Sequence, residues 1–378
     1  MTTATAPAMV NSHSHAFQVG LRGAAERPAP ALAGADDFWS WREAMFALAE
    51  ELDPEGMYAL ALRAYREMAA AGYGAVGEFH YLHHRPDGTP YENPNAMAIA
   101  VARAARDAGL TIVLLPTAYH RAGWDGQDLP PIRGQARFCD QDVTTFVERV
   151  DALRAWASDH EGVEVGVAAH SVRAVPATWL AAIAAYADSH GLVRHVHAAE
   201  QRRELAECRA EHGCSPIELL HETGFLGART SVVHALHVDA RDVALLAEHE
   251  TIVVTCPTTE GNLGDGCFPA MTYRDAGVRL AIGSDSQVRI DPFEEARELE
   301  TGARRERRTR HGLLAASGDL WGELQRNGAA SLGIEPTAAG EIGLDLTHPT
   351  VDAVDPADLR SALVTCATAA VVLPRSAA

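Results

Sequence analysis

Short, nearly continuous apolar runs alternate along the chain with longer stretches in which apolar residues recur every three to four positions. The runs fall at 8–13, 74–79, 110–116, 163–169, 193–198, 230–235, 251–256 and 278–283. Each has the length and composition of a buried strand. Between them, helical periodicity predicts helices over 54–71, 95–108, 142–159, 177–190, 204–211, 216–223, 240–248 and 292–310. Ala71-Gly72, Ala108-Gly109, His190-Gly191 and Ala276-Gly277 supply helix stops ahead of several strands. Strands apolar on both faces, alternating with helices, imply a parallel sheet covered on its outer face. Eight such repeats predict a (β/α)8 barrel over residues 5–335. The Ala/Pro-rich stretch Arg27–Ala35 reads as a loop. After about Ser331 the pattern fades, and 340–346 and 362–373 are readable as short strands or as helix.

Active sites of such barrels lie at the C-terminal strand ends, and that is where the polar residues of this chain gather. They are His13 and His15, Glu78 to Tyr81, Thr117 and Tyr119, His170 and Arg173, His197 and Glu200, His234 and His237, Pro257 to Glu260, and Asp285. Two histidine pairs, His13-x-His15 and His195-x-His197, are prominent. In a strand the members of such a pair point to one face. With 18 histidines in 378 residues, roughly one H-x-H pair would arise by chance. Two of them at strand ends, joined by Asp285 in Gly283-Ser284-Asp285-Ser286, carry more weight. Imidazoles and a carboxylate converging from strand ends suit a first-row metal, zinc with an open position for water above all.

Composition narrows the chemistry. The net charge of −19 argues against nucleic acid or an anionic membrane as partner, so an anionic substrate needs a local cationic pocket. The six cysteines show no C-x-x-C pair, and reduced thiols in the cytoplasm are expected. The longest apolar stretch, 362–373, is too short to span a bilayer. All 32 basic residues are arginine. Schiff-base, lysine-general-base and carbamylated-lysine mechanisms are therefore excluded, and one metal per chain is favoured over two.

The motifs His13-Ser-His-Ala-Phe-Gln18, Phe38-Trp-Ser-Trp-Arg-Glu43, Glu78-Phe-His-Tyr-Leu-His-His84, Ala169-His-Ser-Val-Arg173, His195-Val-His-Ala-Ala-Glu-Gln201, Val233-His-Ala-Leu-His237, Cys256–Asp265 and Gly283-Ser-Asp-Ser286 resemble the amidohydrolase superfamily. Within it they resemble the formimidoylglutamate deiminases of histidine degradation. The resemblance implies that His13, His15, His197 and Asp285 hold one zinc. It implies that Asp285 takes a proton from water, that Glu200 carries it to the leaving nitrogen, and that His234 polarises the water or steadies the tetrahedral carbon. Arg42 and Arg173 would grip the two carboxylates of a small anionic substrate, with Gln18, Tyr81 and His170 as further contacts. A homodimer is the expected assembly.

The chain departs from the family pattern at Val19, where an arginine is usual, and at Gln287, where a histidine is usual. It also reaches His13 almost at once, whereas family members carry an N-terminal β segment that joins C-terminal strands in a small β-domain. Residues 336–378 are accordingly expected to be a remnant of that domain. Two other readings stand beside a deiminase: a deaminase of an aminoheterocycle or another amidine, and a catalytically silent barrel serving as a binding or structural protein. Glu260 and Asn262 read as loop-shaping, His83, His84 and His237 as structural, Cys256 and Cys267 as packing residues, and Glu294–Arg310 as a solvated helix face.

Overall fold

The computed structural model describes residues 2–23 and 38–374, so the loop expected at Arg27–Ala35 lies outside the described residues. Eight barrel strands are present: Met9–Ser14, Tyr73–His80, Thr111–Ala118, Val163–Val165 continued by Val167–Ser171, Arg194–Ala198, Thr230–His234, Ile252–Thr255 and Arg279–Ile282. They are parallel and hydrogen-bonded in chain order. Strand eight meets strand one through the Ser14–Asp285 bridge, where His13 O accepts from the N–H groups of Ser284 and Asp285 and His15 N–H donates to Asp285 O at 3.1 Å. The predicted (β/α)8 barrel is the fold.

The seam admits no side chain. A Cβ on Gly283 would lie 2.7 Å from His13 O, so only glycine lets the last strand approach the first. Strand one also shifts register between Asn11 and Ser14. Asn11 bonds Met68 of the outer helix Pro54–Ala71 at 3.4 Å, whereas His13 and His15 turn inward. A bulge of this kind re-aims side chains near active sites.

Helices over 54–71, 177–190 and 240–248 have the predicted bounds. Asp53, Asp142, Ser215 and Asp239 accept from first-turn N–H groups and so fix where four of the helices begin. Two long helices were not predicted. Phe38–Glu51 brings Arg42 over the barrel. Leu320–Leu332 lies across the N-terminal mouth and forms its floor. There Gly328 packs on Val10 and Ser12, Ala330 on the cluster of Val233, Ile252, Val254 and Ala281, and Ser331 bonds His195 and Ser231. One helix can touch strands one, five, six, seven and eight together only from an end of the barrel.

Outside the barrel, Thr3–Pro7 pairs antiparallel with Glu341–Asp345, and the helix Leu359–Thr365 follows. The tail thus resolves into one strand at 341–345 and helical turns within 359–371. The charged helix Pro292–Arg307 corrects the expectation of a wholly solvated face. Glu295 is buried and accepts from Thr258 N–H at 3.0 Å, and Glu300 is buried beneath Arg304 at 2.7 Å and Leu314 N–H at 2.9 Å. Among the described residues no helix is long and apolar enough to cross a membrane.

Candidate active site

At the C-terminal end of the barrel the strand-end donors converge. His13 Nε2 and His197 Nε2 face one another at 3.0 Å, and the Nε2 atoms of His13 and His15 both lie 3.4 Å from Asp285 Oδ1. His13, His15 and His197 form one group able to hold a metal ion, and His13, His234 and Asp285 form another. His195, the other half of the second pair, points to the floor and bonds Ser331 O at 2.9 Å.

The hydrogen bonds behind the cluster fix its chemistry. His15 Nδ1 meets Phe79 O at 2.9 Å, and His197 Nδ1 meets His170 O at 2.9 Å. A carbonyl can only accept, so both Nδ1 atoms carry the proton and both Nε2 atoms present lone pairs to the centre. Burial keeps the rings neutral: His13 falls to about 3, and His15 and His197 are also lowered. Burial works against an ionised Asp285, but the hydrogen bond from His13 and the surrounding imidazoles outweigh it and hold the carboxyl well below the usual range. Three neutral imidazoles and one carboxylate are a donor set that fits a divalent cation such as zinc.

Beside this cluster, His234 Nε2 lies 3.6 Å from both Asp285 Oδ2 and Glu200 Oε1. Burial pushes Glu200 up to about 8, against the pull of His234. His234 loses stability as a cation through burial, yet Glu200, Glu260 and Asp285 together raise it to about 10. Glu200 and His234 therefore both favour their protonated forms, with His234 within reach of Asp285. The backbone here is unusual as well. Ala199, His234, Ala235, Asp285 and Gln287 all have positive φ, between 47° and 70°. Such conformations are uncommon outside glycine, and they cluster where function imposes them.

A pocket opens above the cluster. His15, His197, Glu200, His234 and Asp285 line it together with Gln18, Arg42, Tyr81, His170 and Arg173, while His13 lies buried beneath. Gln18 Nε2 donates to the Tyr81 hydroxyl at 2.8 Å. The Tyr81 and Tyr119 rings pack edge-on to His170 at 5.6 and 4.5 Å. Arg42 and Arg173 also line a neighbouring surface depression, so they stand at the rim.

Some of the site was not foreseen. Glu260 lies under His234, accepting from its Nδ1 at 3.2 Å, from Cys256 N–H at 2.9 Å and from Thr255 Oγ1 at 2.8 Å. It does shape the turn, and it also orients His234. Its only trace in the sequence is an acidic residue just beyond the end of strand seven. Trp41, Met45, Phe46, Phe138 and Leu263 add apolar walls. Val19 is buried, and Gln287 bonds Ser14 Oγ at 3.0 Å, Asp285 O at 2.8 Å and Ser284 Oγ at 2.9 Å. Gln287 thus supports the loop that presents Asp285. His83 and His84 sit apart, around the Arg149–Asp140 pair.

Comparison with known proteins agrees with this geometry. A model of the amidohydrolase family matches residues 5–320. The formimidoylglutamate deiminase of Pseudomonas aeruginosa is 38% identical over 93% of the chain and 77% of its own length. The 5-methylthioadenosine/S-adenosylhomocysteine deaminase 2 of Archaeoglobus fulgidus is 25% identical over 79% of the chain, which spans 62% of that relative. Among solved structures, an amidohydrolase from Brucella melitensis superposes with a TM-score of 0.87 at 35% identity, over 97% of this chain and 84% of that one. With a family model matched across most of its length, the chain belongs to the amidohydrolase family.

Proposed function

We propose that the protein is a zinc-dependent iminohydrolase, with one zinc per chain, that converts N-formimidoyl-L-glutamate and water to N-formyl-L-glutamate and ammonia in histidine degradation. The observation that carries this reading is a single pocket joining a three-histidine, one-carboxylate cluster with Glu200 and His234 to a rim bearing Arg42 and Arg173. The likeness to the Pseudomonas aeruginosa formimidoylglutamate deiminase supports the same substrate.

His13, His15, His197 and Asp285 would hold the zinc, which when bound supplies Lewis acidity and lowers the pKa of water toward neutrality. Asp285, the one ionised group in the cluster, accepts the proton that water loses as its oxygen adds to the formimidoyl carbon. His234 stands 3.6 Å from Asp285 and from Glu200 and stabilises charge developing at the tetrahedral carbon. Glu200, held partly protonated by burial, delivers a proton to the amidine nitrogen. The proton taken by Asp285 then follows to the same nitrogen, the hydroxyl proton returns to Glu200 as the C–N bond breaks, and ammonia leaves while the carbon retains the new oxygen as a formyl group. Arg42 and Arg173 pair with the two carboxylates, helped by Gln18, Tyr81 and His170. A guanidinium stays charged at any working pH and matches a carboxylate with two parallel N–H groups. A flat heterocyclic base would need no pair of arginines.

A homodimer in the cytoplasm acting on a small anionic substrate, with no nucleic-acid or membrane partner, completes the proposal; the net charge of −19 favours it. The pairing of Thr3–Pro7 with Glu341–Asp345 supports reading 336–378 as part of a small β-domain. The deciding experiment measures ammonia from N-formimidoylglutamate with purified, zinc-loaded protein. Ammonia from an aminopurine nucleoside and none from formimidoylglutamate would replace this reading with that of a heterocycle deaminase.

A further inference from the structure

Arg137 is fully buried, and among the described residues no carboxylate forms a hydrogen bond or ion pair with it. Its Nε donates to His84 O at 2.9 Å, its Nη2 to Leu52 O at 2.6 Å, and its Nη1 to Ala49 O. In return its own carbonyl accepts from the N–H groups of His83 at 3.1 Å and His84 at 2.9 Å. Ala49 and Leu52 stand at the C-terminal end of the helix Phe38–Glu51, where carbonyls lack helical donors and a cation is favoured. That helix carries Arg42. His84 lies three residues after Tyr81, and Phe138, next to Arg137 in the chain, packs edge-on to Tyr81 at 5.0 Å.

One guanidinium therefore ties together three segments that share no secondary structure, and all three carry residues that line the pocket: Arg42, Tyr81 and Phe138. Glu50 and Asp53 act on this guanidinium only from a distance; burying a cation with no carboxylate directly paired to it is costly, and simple packing of a loop does not require one. A rigid fork that meets several fixed carbonyls holds relative position. We propose that Arg137 is a positioning residue for substrate binding, fixing Arg42 and Tyr81 relative to one another. The inference rests on the binding roles assigned above to those two residues. Arg137 makes no contact with the histidine cluster, Glu200 or His234, so its effect should fall on binding and leave the chemical step alone.

The test is Arg137→Lys, which keeps the charge but concentrates its donors on one nitrogen that cannot span carbonyls of two segments. With metal content unchanged, KM for N-formimidoylglutamate should rise about tenfold or more while kcat stays within about threefold. Crossed with Arg42→Ala, the two KM effects should not multiply: the double variant should match Arg42→Ala within about twofold, because a displaced arginine and an absent one are equivalent. An unchanged KM in metal-replete Arg137→Lys, a loss confined to kcat, or fully multiplicative effects would overturn the proposal. If Arg42→Ala itself leaves KM unchanged, the dicarboxylate reading has failed, a different outcome. Should Arg137→Lys not fold, hydrogen exchange of the wild-type protein with glutarate as probe decides. Amides of 38–51 and 81–84 should slow together, and slowing in only one segment refutes the coupling.

Discussion

Replacing Glu260 separates orientation from charge at His234. The Glu260 carboxylate accepts from three buried donors: Cys256 N–H, Thr255 Oγ1 and His234 Nδ1. Glu260→Gln keeps the shape, and its amide nitrogen can face Thr255, whose hydroxyl is able to accept. Lost is the charge on the bond to His234. Charge-assisted hydrogen bonds contribute about 1.5–3 kcal/mol against about 0.5–1.5 for neutral ones. The difference of about 1–1.5 kcal/mol corresponds to roughly tenfold in rate. Glu260→Gln should therefore lower kcat for ammonia release by about tenfold, with zinc content and fold intact. Glu260→Ala instead leaves all three donors unsatisfied at a buried position, at about 1–3 kcal/mol each and so about 3–9 kcal/mol in all. An unfolding entropy of about 2.1 cal/mol/K per residue over 378 residues translates that into a fall in Tm of about 4–11 °C. The assay pairs steady-state ammonia production with calorimetry and elemental analysis on both variants. Full activity in Glu260→Gln, or an unchanged Tm in Glu260→Ala, would refute the claim that Glu260 holds His234 in place.

Three further outcomes are expected. The protein should bind about one zinc per chain, and His197→Ala and Asp285→Ala should each lose it, because an open catalytic site has no spare ligand; two tightly bound metals per chain by elemental analysis would contradict this. Glu200→Gln should retain zinc while kcat falls by roughly 10²–10⁴ and KM moves much less; an undiminished kcat would place the proton carrier elsewhere. Arg42→Ala and Arg173→Ala should each lower kcat/KM by about 2–4 kcal/mol, with a smaller loss on formimidoyl derivatives of glycine or γ-aminobutyrate that lack one carboxylate. Equal losses on every substrate would mean that the arginines are structural.

The eight strands were legible because a strand buried on both faces leaves a run of apolar residues that little else in a soluble chain produces. The strand-end donors were legible for a related reason: His13, His15, His197 and Asp285 interrupt such runs where polar groups would otherwise be out of place. The floor helix was not. Trp321, Leu324, Gly328, Ala329 and Leu332 are buried, and so are Gln325 and Ser331, so it has no clean polar stripe to set its period, and two glycines weaken its propensity. Glu260 was misjudged in weight because its role depends on His234, 26 residues away, and nothing local to Pro257–Leu263 records that neighbour. The buried acids of Pro292–Arg307 were hidden in the same way, since a glutamate under Thr258 and one facing the solvent look alike in sequence.

Among the described residues, the floor made by Leu320–Leu332 closes one end of the barrel and leaves the pocket opening at the other, and the reaction proposed inside it has a traffic problem. On the proposed reading, water must be in place before the substrate's carboxylates settle on the arginine rim, because the substrate then stands in the passage. Ammonia, the smaller product, forms at the deep end behind the larger one and has to wait for the acid to depart. That reading predicts that the acid leaves first, and that any dicarboxylate lingering at the rim slows the escape of ammonia to the same degree.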